Sequence, residues 1–160
     1  EHNAFLLNEG GGDYQSIGYL MGVGFEFDSR SVVGADLDLD GHPDLLIVQM
    51  DQLTNRHKTG RAEHYLHLVQ NNMKTEANWV GLHMDPGTNP VGALVAVRAG
   101  GKTQTLPVVT GDSYSAQHPL SFHFGLGKTQ KIDELFVEKF GRKLFQIREP
   151  DINRYHRIKP

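Results

Sequence analysis

Apolar residues in this chain recur at every second position in short runs, and turn residues break those runs. In LSFHFGLG (120–127), Leu120, Phe122, Phe124 and Leu126 share one face while Ser121 and His123 share the other. No window sustains the i, i+3, i+4, i+7 spacing of an amphipathic helix over three turns. With 18 glycines and 7 prolines as punctuation, this pattern predicts an all-β fold of short strands. Expected strands cover 4–8, 14–20, 31–37, 44–50, 64–70, 79–84, 93–100, 102–109, 120–127, 134–140 and 143–149. Gly100-Gly101 and Gly141-Arg142 read as hairpin turns. DQLTNRHKTGRA (51–62) reads as an exposed polar loop with HKTGR as a contact surface or protease-sensitive tip, and NNMKTEAN (71–78) as a linker. The expected organisation is two parts, 1–75 and 76–160.

Composition narrows the function classes. A net charge of -3 with no basic stripe argues against a nucleic-acid partner. The longest apolar runs, such as LLIV at 45–48, are too short to span a bilayer. With no cysteine, disulfides, thiolate zinc sites and thiol catalysis are excluded. The chain opens on Glu1 without an apolar leader, so it reads as a processed or excised piece whose export signal would precede it.

The densest chemistry is DLDLDGHPD (36–44), set between SVVGA and LLIVQM. Asp36, Asp38, Asp40 and Asp44 occupy positions 1, 3, 5 and 9 of D-x-D-x-D-G-x-x-D. Converging carboxylates repel one another and resist desolvation. A hard divalent cation reverses that balance, because Ca²⁺ takes six to eight oxygens at about 2.3–2.6 Å. Gly41 permits the sharp turn, and His42 would add its carbonyl oxygen. An EF-hand is excluded: position 12 is Ile47 rather than Glu, and the flanks are strand-like. The alternative reading is a solvated acidic turn, and Mg²⁺ is disfavoured because it prefers few carboxylates and retained waters.

GADLDLDGHPDLLIV resembles the signature of FG-GAP repeats (integrin-α-like, VCBS-type), and FLLNEGGGDYQSIG resembles their inter-blade stretch. NWVGLHM, followed by VGALVAVRAGGKTQTLPVVTGDSYSAQHPLSFHFGLGKTQKIDELFV, resembles the ASPIC/UnbV domain. The segment DPGTNPVGA (85–93) is shorter than that family's usual loop, and VEKFGRK stands where Trp-Pro-Ser-Gly is commoner. A looser internal echo links FLLNEGGG (5–12) with HLVQNNMK (67–74). The resemblances imply a β-propeller-type blade unit with a calcium loop, then a small antiparallel sandwich or barrel-like domain. They also imply a secreted, periplasmic or cell-surface location and a non-catalytic role in adhesion or assembly. A lone blade cannot bury both faces of its sheet, so protein partners, other subunits or a second copy are expected to pack on it.

Other stretches carry residue types found at sites. TGDSYS (110–115) imitates the nucleophile block of GDSL-type esterases, with Ser113 as nucleophile. Its late partners, Asp151 and His156, have the wrong spacing, and the strands read as antiparallel. Nine histidines raise the question of a transition-metal site, but His64 and His67 point to opposite strand faces, as do His118 and His123. Trp79, Phe122, Phe124 and Phe136 read as core aromatics. Beside the binding or assembly module stand two alternatives: an accessory domain of a larger exported enzyme or redox complex, and a serine esterase.

Overall fold

The regular structure of the chain, in a computed structural model that describes residues 2–26, 28–51, 63–85, 87 and 90–159, consists of strands. The expected all-β class holds, with the strands distributed over four small sheets. Of the expected loop at 51–62, all but Asp51 lies outside the described residues, its HKTGR tip included, as do residues 86, 88 and 89 of the 85–93 segment. No helix among the described residues is long and apolar enough to cross a membrane. Contacts group the chain into two units. The first holds Glu1–Gly34, Asp44–Gln70 and Ser113–Ala116; the second holds Ala35–Pro43, Asn71–Asp112 and Gln117–Pro160.

In the first unit β1 (Leu6–Gly10) and β2 (Asp13–Ser16) form an antiparallel hairpin. β3 (Asp28–Ala35), β4 (Asp44–Asp51) and β5 (Glu63–Val69) form a three-stranded sheet in that order. Along β4 the pleat sends Leu45, Ile47 and Gln49 to one face, where Ile47 and Gln49 are buried. The opposite face pairs Leu46 with Leu68 and Val48 with Leu66 across the β4–β5 ladder. There Leu66 and Leu68 stay 68% and 62% exposed.

The second unit is a two-sheet domain. β6 (Asn78–Met84) lies between β12 (Tyr155–Ile158) and β9 (Ser121–Gly127), parallel to the former and antiparallel to the latter. The other sheet runs β11 (Arg142–Arg148), β10 (Ile132–Lys139), β7 (Leu94–Ala99), β8 (Lys102–Pro107). One core draws on both: Val80, Leu82 and Met84 of β6, Phe122, Phe124 and Leu126 of β9, Val95 and Val97 of β7, Leu135 and Val137 of β10, and Ile158 of β12. The alternation in LSFHFGLG predicted the β9 contribution, with the non-polar side inward.

Three expectations are corrected. The last hairpin turns at Phe140-Gly141, not Gly141-Arg142, because Lys139 pairs with Arg142. Both turn residues have positive φ (54° and 73°), as a two-residue turn matching strand twist requires, and Phe140 accepts the strain while 93% exposed. Phe136 is buried but lies outside the core. It sits on the outer face of β10 beneath Arg98 and Lys143, whose cationic groups lie 5.6 and 4.4 Å from its ring centre. Those same cations pair with the buried Glu134 beside it, so long charged side chains cover an outward row. Trp79 is likewise absent from the core cluster, for the reason given below. β12 was not expected at all: it is four residues long and its ladder partner lies more than seventy positions away.

Candidate metal centre

The loop 36–43 connects β3 to β4 and belongs by its contacts to the second unit. Its backbone is shaped by its own carboxylates. The Gly41 amide donates to Asp36 Oδ2 at 2.9 Å, and the Asp40 amide donates to Asp36 Oδ1 at 3.1 Å. The same Asp40 amide reaches Asp38 Oδ1 at 3.3 Å, and the His42 amide donates to Asp40 Oδ1 at 2.8 Å. The bonds of Asp38 and Asp40 to amides two residues on stabilise tight turns, while Asp36 reaches four and five residues on, which is why Asp suits these positions. Leu39 and Gly41 take positive φ (62° and 93°) to close the curve.

Each of Asp36, Asp38 and Asp40 brings one oxygen to a point where all three lie within 4.8 Å of one another. Ligand oxygens on opposite sides of a calcium ion are roughly 4.6–5.2 Å apart, twice the bond length. The spacing and the all-oxygen donor set therefore fit a hard divalent ion. Asp36 is 7% exposed, whereas the other two are open to solvent. The other two expected ligands are placed differently. Asp44 opens β4, is 2% exposed and falls in the first unit. His42 engages Asp40 with its ring as well as its amide, Nδ1 lying 3.2 Å from Oδ1. The His42 amide, and then its ring, hold the Asp40 carboxyl below the usual carboxylate range.

Beneath the loop sits an aromatic group of Tyr155, His83, Trp79 and His123. Tyr155 of β12 donates its hydroxyl to Asp36 Oδ2 at 2.9 Å. Its ring stacks on His83 with centroids 4.2 Å apart, and Trp79 lies 4.9 Å away at a tilt. Trp79 also stacks on His123 at 5.1 Å. Two glycines make room for these rings. A methyl group at Gly81 would fall inside the Tyr155 ring, and one at Gly41 inside the Trp79 indole. Gly81 is the cross-strand partner of Tyr155, so a glycine in mid-strand was the signal of a close approach. Asn153 places the tyrosine: in the left-handed region (φ 57°), it accepts from the Trp79 amide at 3.0 Å and donates its own amide to the Trp79 carbonyl at 2.7 Å. Trp79 is thus tied to the loop and to β12 rather than to the core.

Burial shapes the titration of this group. It pushes the Tyr155 phenol well above its ordinary value, and the hydrogen bond to Asp36 adds to that. Burial holds both His123 and His83 below the ordinary imidazole value. For His123 the Asp36 charge works in the opposite sense.

Elsewhere, Ser113 Oγ accepts the Val32 amide at 3.1 Å. His118 does not meet His123: its Nδ1 pairs with Asp112 Oδ1 at 2.9 Å, which lowers the Asp112 carboxyl. His67 stacks on Phe25 at 4.4 Å.

Fold and loop together define a class: an all-β chain whose second unit is a two-sheet domain carrying a carboxylate-lined loop on an aromatic seat. Residues 85–160 match the family model described as ASPIC and UnbV, as the resemblance over the second half implied. No curated protein matches the chain.

Proposed function

We propose that the chain is a non-catalytic, calcium-stabilised binding or assembly module of a secreted, periplasmic or cell-surface protein. Asp36, Asp38 and Asp40 would hold the ion, with Asp44 and the His42 carbonyl as the further oxygens of the D-x-D-x-D-G-x-x-D pattern. The observation that carries the reading is the convergence of three carboxylate oxygens within 4.8 Å at a loop whose backbone is already turned. The likeness of this loop to FG-GAP repeats supports the choice of calcium and the extracytoplasmic location. Bound Ca²⁺ would neutralise the crowded charge, so its binding energy becomes folding energy. For an extracellular module, a dissociation constant of about 10⁻⁴–10⁻³ M suffices.

The partner half of the reading is supported by the β4–β5 face, where Leu66 and Leu68 stand exposed opposite Val48 and Leu46. Contiguous exposed apolar side chains of this kind mark interaction surfaces. The test is a calcium titration followed by calorimetry and melting. Calcium is expected to raise the melting temperature of the wild type, and EDTA or Asp38→Ala to remove the gain. A melting temperature indifferent to all three would reduce the loop to an acidic turn.

A further inference from the structure

We infer that Tyr155 and Trp79 are part of the cation site: Tyr155 selects which oxygen of Asp36 faces the ion, and the two rings hold the loop in its receiving shape. The inference rests on the calcium reading above and goes beyond it, because neither ring belongs to the acidic motif.

Lone-pair counting carries the first half. A carboxylate oxygen has two acceptor sites. Oδ2 of Asp36 accepts from the Gly41 amide and from the Tyr155 hydroxyl, both at 2.9 Å, so both of its sites are taken. Among the described residues Oδ1 accepts the Asp40 amide, at 3.1 Å, which leaves one site. Asp36 therefore offers the ion a single oxygen, Oδ1, in a fixed direction. Without the phenol, Oδ2 keeps the Gly41 amide but regains an acceptor site, so either oxygen of Asp36 can face the ion.

The ring seats carry the second half. The Tyr155 ring rests on Gly81 and stacks on His83, while the Trp79 indole rests on Gly41, whose φ is 93°. The Trp79 amide and carbonyl are both bound by Asn153, two positions before Tyr155. Loop, indole and phenol thus form one packed group, and ordering by the cation is shared by all three. Outer groups that orient metal-binding carboxylates typically contribute on the order of tenfold to a hundredfold in affinity.

The experiment uses the full chain, wild type and Tyr155→Phe, titrated with calcium chloride by calorimetry, with melting curves in calcium and in EDTA. The expected result is a dissociation constant at least tenfold weaker in the variant and a smaller calcium-induced gain in melting temperature. A purely structural tyrosine would lower both melting curves equally and leave the affinity unchanged, and that result overturns the inference while the calcium reading stands. Wild type that binds no calcium overturns both. A second measurement needs no variant: the chain has one tryptophan, so its indole Nε1–H gives a single resolved resonance. Calcium should shift that resonance with the calorimetric dissociation constant, and a resonance that stays still through saturation also overturns the inference.

Discussion

The phenolic hydroxyl of Tyr155 donates to Oδ2 of Asp36 at 2.9 Å across 119 positions of sequence. It joins the last strand of the chain to the first residue of the acidic loop. A hydrogen bond to a charged group contributes about 1.5–3 kcal/mol, and this one is part-buried, with the His83 and Trp79 rings packed against the Tyr155 ring. The loop's conformation is therefore decided jointly by its own aspartates and by a residue of the two-sheet domain.

Gly41→Ala should be among the more damaging changes in the loop. It places a methyl group in the Trp79 indole and forces a non-glycine residue to φ +93°. Loss of stability on the order of 2 kcal/mol is expected, together with a red shift of native Trp79 emission as the ring moves into water. Urea unfolding followed by fluorescence measures both. An unchanged native spectrum would contradict the packing described.

The core makes a sharper claim about place than about chemistry. Leu82 is fully buried between the two sheets, whereas Leu144 on β11 is 55% exposed. Leu82→Ala should cost about 3 kcal/mol, and Leu144→Ala less than about 1 kcal/mol. Denaturant midpoints at constant m-value would show the difference.

Stability should fall on mild acidification in metal-free buffer. Burial keeps His123 and His83 below the ordinary imidazole value in the folded state, so the unfolded chain binds more protons near and below that value. The stabilisation is complete above about pH 6.5 and is lost as pH falls toward the folded values of the two groups. His83→Gln with His123→Gln should flatten this part of the melting temperature–pH curve. Asp40, depressed by His42, acts in a separate, more acidic window below about pH 4.

Ser113 is expected to be inert. Its oxygen accepts the Val32 amide, and Ser113→Ala should cost no more than about 1 kcal/mol. Wild-type chain should not be labelled by a fluorophosphonate; labelling that Ser113→Ala abolishes would revive the esterase alternative.

The sequence alone determined what short-range rules govern. Period-two alternation set the inward residues of β9, Gly100-Gly101 set a hairpin, and the spaced aspartates with Gly41 set a sharp acidic turn between two strands. The match of residues 85–160 to a family model agrees with motifs legible in order along the chain. Only tertiary structure decided that Trp79 leaves the core for Gly41, that Phe136 is buried on an outer face, and that YHRI becomes a strand carrying Tyr155. Each of these depends on partners tens of residues away. A glycine's missing side chain signals that something comes close, but only the folded chain brings the ring that fills the space.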